Sequence, residues 1–190
     1  MSVEVYQLAP LHLAEAERER AVERSGALMA TNDPGLVAIV EEARRTLRTS
    51  MAAISIVYRN WQYLLAATGL PGGPYSRHTS FCGHVVAAAD RMICVPDTHH
   101  DARFAGNPSV MGGLQVRSYA GVKLLGEHAL PLGALCVFDT RPHQGLATAD
   151  YGALVSLADE AMAQLARLSP PLAVPLAALS VASGGAHLAA

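Results

Sequence analysis

Hydrophobic and polar positions change their period several times along the chain. From Leu11 to about Leu28 the strong helix formers Ala, Glu and Arg dominate, with sparse apolar positions and dense charge at Glu15, Glu17, Arg18, Glu19, Arg20, Glu23 and Arg24. That predicts a partly solvated helix suited to packing along a partner subunit. Thr31–Gly35 combines turn formers with a helix cap and marks a break. Beyond it Leu36, Ile39, Val40, Ala43 and Leu47 recur at spacings of three and four, the signature of an amphipathic helix. The runs Ala52–Tyr58 and Gln62–Thr68 then read as two strands of a hairpin turning at Arg59-Asn60. Gly69–Pro74 reads as a loop. Thr79 or Ser80 caps a helix reaching about Ala89, with Val85, Val86 and Ala89 inward. Met92–Val95 is a brief strand, and Pro96–Gly113 is a polar connection long enough to suggest function. Tyr119–Leu125 and Leu132–Phe138 are two further strands. A closing helix over about Ala147–Leu168 carries Leu154, Leu157, Ala158, Ala161 and Leu165 on one side. The succession implies an α+β fold with an antiparallel sheet. From 169 to 190 a Pro/Ala/Gly/Ser-rich tail is expected to be flexible.

Composition narrows the function classes. A length of 190 residues suits one domain, and 51% apolar against 16% charged residues excludes wholesale disorder. A net charge of -2 provides no basic field for a phosphate backbone, so nucleic acid is not expected as a partner. No apolar run suits a bilayer span, and the start of the chain lacks the basic-then-apolar pattern of a signal peptide. Three cysteines form no disulfide framework, which points to a reducing cytoplasm.

Several ordered motifs carry a resemblance. Arg24–Leu28, Ala52–Asn60 followed by Trp61-Gln62, Thr79–His84, Val95-Pro96-Asp97, Asp101–Phe104 with Asn107-Pro108, Arg117–Gly121 and Leu132–Asp139 together resemble bacterial GAF domains over roughly Ala21–Leu168. The resemblance divides the chain into an N-terminal helical extension, 1–20, a GAF domain, 21–168, and the tail. It implies a GAF/PAS-like antiparallel sheet of five or six strands with helices behind it. A ligand pocket would lie on the other face, roofed by Cys82–Gly113. Relatives often form dimers through terminal helices and precede histidine kinase or diguanylate cyclase modules. No output module follows Leu168 here, so the resemblance implies a homodimeric sensor of an unidentified small molecule that reports in trans to a separate signalling effector.

Within that frame Cys82, His84, Asp97, Phe104, Arg117 and Tyr119 are the candidate ligand-binding residues. Cys82 lies near a helix start, where a thiolate is favoured. It is either a redox-reactive thiol or, as the default, a small side chain wedging the helix against the sheet. The first option resembles free methionine sulfoxide reductases, which use this fold with cysteines grouped about the pocket. The loop cysteine this predicts is absent from Pro96–Gly113. Cys94 and Cys136 fall in strands and read as small apolar filler. Bilin-binding relatives attach pigment at Cys followed by His, whereas Gly83 separates Cys82 from His84. His78, His84, His99 and His100 with Asp97 and Asp101 have the chemistry of metal ligands. Adjacent loop histidines chelate one ion poorly, and solvated side chains are the default, so no metal is assigned. Arg117 suits an anionic ligand because its guanidinium matches carboxylate and phosphate. Asp101 and Arg103 are expected to tie the long loop together, Phe104 to plug that loop into the core, and Asp139 to cap the turn at Thr140–Pro142. Trp61 is placed at a strand edge, on the surface or an interface.

Overall fold

In a computed structural model, which describes residues 5–169, the strand-forming runs pair into one antiparallel sheet. Its strands are β1 (Met51–Tyr58), β2 (Trp61–Thr68), β3 (Pro74–Ser76), β4 (Met92–Val95), β5 (Ser118–Leu125) and β6 (Pro131–Asp139). Their spatial order is β3-β2-β1-β6-β5-β4. The helices are α1 (Glu15–Ser25), α2 (Pro34–Thr46), α3 (Phe81–Ala87), α4 (Pro108–Met111) and α5 (Thr148–Leu168). The expected tail begins at the last described residue.

Strand alternation sorts the core into two layers. On β1, Ala52, Ile54 and Ile56 face α2 and α5, while Met51, Ala53 and Val57 face the opposite side. The helix side is closed by the stripe predicted on α2 and by Leu154, Ala158, Ala161 and Leu165 of α5. Asp33 starts α2 by accepting from the Leu36 amide at 3.0 Å, with Pro34 in the first turn, where its missing N–H costs nothing. On the other side α3 and the connection from Pro96 to Arg117 form the roof.

Four local features depart from the sequence expectation. β3 emerges from the predicted Gly/Pro loop, because Gln62 and Tyr63 pair with Tyr75 and Pro74 at the sheet edge. α3 ends at Ala87, which leaves Ala89 exposed rather than inward. α1 begins only at Glu15; the residues before it form no helix and strap the roof, with Gln7 N donating to Arg103 O and Ala9 N to His78 O, both at 3.0 Å. The strap presses so closely on α3 that a Cβ at Gly83 would stand 2.7 Å from that of Ala9.

Arg18 is the fourth departure. Its sequence context groups it with solvated charges, yet it is fully buried. The last β1–β6 pair is Ile56 with Gly133, so the next β1 carbonyl on that side lacks a strand partner. Arg18 fills the gap, donating to Val57 O at 2.6 Å and Pro131 O at 3.3 Å. Its other guanidinium nitrogen meets Glu15 at 2.6 Å, and Glu15 also binds Arg77 at 2.6 and 3.0 Å. This Arg–Glu–Arg group stitches α1 to both layers around the end of the sheet. Burial opposes ionisation of Glu15, but the hydrogen bonds from Arg77 and then Arg18 outweigh it and hold its carboxyl at about 2.

Candidate functional site beneath the roof

The roof is anchored by its own side chains. Ser80 caps α3 by accepting from Gly83 N at 3.0 Å, and Phe81, Cys82, Val85 and Val86 point down onto the sheet. Phe104 plugs the long connection into this layer as expected, stacking on Phe81 with ring centroids 4.3 Å apart. Tyr119 lies 4.9 Å from Phe81, and Phe138 closes the cluster edge-on. Asp101 holds Arg103 through two bonds of 2.9 and 2.6 Å, and Thr98 Oγ1 donates to Val116 O at 2.7 Å. Asn107 joins the two halves of the roof, donating to Thr79 O at 2.9 Å while accepting from Ser109 N. Asp139 accepts from Arg141 N at 3.2 Å, the turn-capping role its sequence position suggests.

The six candidate residues fall into two groups. Cys82, Phe104, Tyr119 and His84 are buried together in and around α3. His84 Nε2 lies 3.2 Å from Gln7 O beneath the strap, and burial pushes its imidazole below the ordinary value. Asp97 and Arg117 lie at the margin, bound to each other at 3.1 and 2.8 Å. The Arg117 hydrogen bond holds the Asp97 carboxyl at about 2, against a small opposing effect of burial. The guanidinium that sequence offers to an anionic ligand is thus occupied by a carboxylate of the same loop. The histidines do not converge: His78, His99 and His100 are exposed, and among the described residues no three His, Cys, Asp or Glu side chains stand where one metal ion would join them.

The open space lies beside these residues. A cavity of about 40 Å³ runs between β2, α3 and the second half of the roof, lined by Gln62, Ser80, Phe81, Ser109, Leu114 and Val116 among others. None of the six candidates borders it. Its signal in the sequence is a polar residue at an inward position: Gln62 shares a face of β2 with Leu64, under the roof. Gln62 and Ser80 are hydrogen-bonded to each other, which makes a polar floor for otherwise apolar walls.

The floor continues into a buried thiol cluster. Gln62 Nε2 donates to Cys82 Sγ at 3.5 Å, Tyr119 OH lies 3.6 Å from the same sulfur, and Cys136 Sγ lies 3.5 Å from it. Tyr119 reaches Cys82 by lying across Gly121, where a Cβ would meet its hydroxyl at 2.1 Å. Of the two strand cysteines read as apolar filler, Cys94 is exposed on edge strand β4, and Cys136 is a fully buried partner of Cys82. Sequence reasoning missed this pairing because 54 residues separate the two thiols.

An antiparallel six-stranded sheet with helices on one face and a loop-and-helix roof over a cavity on the other defines an α+β fold with a roofed cavity. The family model "GAF domain" matches residues 36–165. A cyclic di-GMP phosphodiesterase of Pseudomonas aeruginosa is 33% identical over 151 residues, which is 80% of this chain and 26% of that protein. This chain therefore spans about a quarter of that relative's length. The GAF domain of an Acinetobacter phosphoenolpyruvate-protein phosphotransferase superposes with a TM-score of 0.57 at 17% identity, covering 80% of this chain and 94% of that one. A type II free methionine-R-sulfoxide reductase from Thermoplasma acidophilum does so with a TM-score of 0.56 at 14% identity, covering 78% and 96%. The chain belongs to the GAF domain family. Among the described residues no helix is long and apolar enough to cross a membrane.

Proposed function

We propose that this chain is a sensory GAF domain that binds a small molecule in the cavity between β2, α3 and the roof. The single observation that carries this reading is the cavity itself: apolar walls, a Gln62–Ser80 floor, and a rim built from two connecting segments. Leu70, Tyr75 and Thr79 belong to one segment, and Ser109, Leu114 and Val116 to the other. At about 40 Å³ the space holds only a few water-sized molecules, so the ligand enters as these segments part. Ligands bind where concave apolar walls meet a few placed polar groups, which this site provides. The 33% identity to part of a cyclic di-GMP phosphodiesterase supports a place in second-messenger signalling. In this proposal the domain works as a cytoplasmic homodimer that acts in trans on a separate effector.

A thermal-shift screen of the full chain against a panel of small metabolites tests the reading, because a ligand that binds only the folded state stabilises it by about 2.7 kcal/mol at a hundredfold excess over Kd. Leu114→Trp fills the cavity from the roof and is expected to abolish the shift while the protein stays folded by circular dichroism. A panel without a hit, or equal binding by the filled variant, overturns the assignment.

A thiol-dependent reductase reading requires free methionine sulfoxide to reach Cys82 Sγ. Full burial of that sulfur beneath Phe81 and Tyr119 favours the sensor.

A further inference from the structure

Two sulfurs meet under α3 within the roof-side core. Cys82 comes from the helix and Cys136 from the middle of β6, both completely buried, with their Sγ atoms 3.5 Å apart. Cys136 sits opposite Ala53 on β1 and Gly121 on β5, and the missing side chain at Gly121 is what lets Tyr119 lie across the strand to reach Cys82. A disulfide has an S–S length near 2.05 Å, so closing this pair asks for an approach of roughly 1.5 Å, within the reach of side-chain rotation and a slight settling of a short helix. Side-chain polar groups reach only one of the two sulfurs. Gln62 and Tyr119 bring hydrogen-bonding groups to Cys82, whereas Cys136 contacts the Ala53 carbonyl at 3.3 Å.

We propose that Cys82 and Cys136 form a reversible intramolecular disulfide, making the buried pair a site of oxidation by hydrogen peroxide that clamps α3 to β6. Neither cysteine borders the cavity itself; in this proposal peroxide passes Gln62, which lines the cavity and donates to Cys82 Sγ at 3.5 Å. While the rim segments stay closed, a space of about 40 Å³ admits a molecule of two oxygens and is too small for a tripeptide disulfide. The two sulfurs divide the chemistry. Hydrogen bonding from Cys136, against burial, draws the Cys82 thiol below its ordinary value. Burial, and then Cys82 itself, pushes the Cys136 thiol well up. Cys82 therefore attacks first. Its thiolate takes one peroxide oxygen, the O–O bond breaks, and the departing hydroxide leaves as water with a proton from solvent, giving a sulfenic acid. Cys136 sulfur then attacks Cys82 sulfur and the S–O bond breaks. The Cys136 proton leaves with the departing hydroxide as a second water. Two thiols lose two electrons and two protons, and one peroxide becomes two waters. The bridge forms beside the Gln62–Ser80 floor, so it changes the wall of the cavity whatever ligand that cavity takes.

The test uses the full chain, freshly reduced and pulsed with hydrogen peroxide. Remaining thiols are alkylated after unfolding and linked peptides are mapped by mass spectrometry. Two of the three thiols are expected to be lost to alkylation, with Cys82 joined to Cys136, and both are recovered with a dithiol reductant. Cys94→Ser is expected to lose the same two thiols, and Cys136→Ser to stop at a Cys82 sulfenic acid captured by a dimedone probe. Should Cys136→Ser not fold, the linkage map of the unmutated chain decides. Full alkylation of Cys82 and Cys136 while Cys94 is oxidised overturns the proposal. Bridging that is equally fast with glutathione disulfide overturns the cavity route. The readout counts thiols, so it stands whether or not the ligand screen succeeds.

Discussion

The two faces of one sheet are built on different principles. Every buried residue of the helix-side cluster is Ala, Val, Leu or Ile, supplied by strands and long amphipathic helices. The roof-side cluster holds all three phenylalanines of the chain, a tyrosine and two cysteines, and the polar side chains of Ser55, Gln62 and Ser80 are buried under the same roof. The Ser55 hydroxyl finds no partner within hydrogen-bond length. The first face is a scaffold that tolerates only packing. The second is assembled from a short helix and connecting segments held by side-chain hydrogen bonds, and it keeps a cavity. Polar groups left in a core cost stability unless paired, and their concentration on one face is what supports placing the proposed site there.

Substitutions on each face sharpen that contrast. Phe104→Ala removes the plug of the roof and is expected to cost about 3–5 kcal/mol, against about 2–5 kcal/mol for Leu154→Ala on the helix side, both by urea denaturation. The faces separate in a second measurement. At matched stability Phe104→Ala should speed alkylation of Cys82 in the native state, whereas Leu154→Ala should not. Equal acceleration would mean that the faces open as one unit.

Glu15→Gln tests the stitch between the faces. It leaves Arg18 and Arg77 buried without their carboxylate, a loss of about 3 kcal/mol at neutral pH. The pH dependence has a definite sign. The folded Glu15 carboxyl titrates at about 2, below its ordinary 4.5, so its contribution is complete above 4.5 and fades as pH falls toward 2. The unmutated protein should lose stability through that window in acid denaturation, and Glu15→Gln should lose less.

The smallest effect is expected from Asp97→Asn. Its pair with Arg117 sits at the partly exposed margin of the roof, where ion pairs contribute little, so the melting temperature at neutral pH should fall by a few degrees at most. Asp97 also titrates at about 2, below its ordinary 3.8, so whatever it contributes is present above 3.8 and lost on acidification toward 2. A drop as large as that of Phe104→Ala would make the Asp97–Arg117 tie, rather than the aromatic plug, the main fastening of the roof.

The elements that were legible in the sequence are those whose own pattern decides them. The stripe Leu36–Leu47, the hairpin at Arg59-Asn60, the Ser80 cap and the inward series on α5 all appear where spacing and turn chemistry put them. β3 was not legible, since Pro74–Ser76 has no strand pattern and becomes a strand only by joining an existing edge. The candidate site was half legible. The segment forming the roof was identifiable, whereas the cavity between β2, α3 and the roof is bordered by Gln62 and Leu114, which lie outside the residues picked from sequence.

What the amino-acid order alone determined is local: periodicity put residues on the faces of helices and strands and so gave the fold class, and a series of short ordered motifs carried the resemblance to the family. Tertiary structure decided everything that depends on distant segments meeting. Arg18 is buried because β1 and β6 end out of step, and Cys82 lies against Cys136 because α3 crosses the strand that carries it. Local periodicity acts over a few residues, whereas unpaired carbonyls and neighbouring sulfurs arise only once the chain has closed on itself.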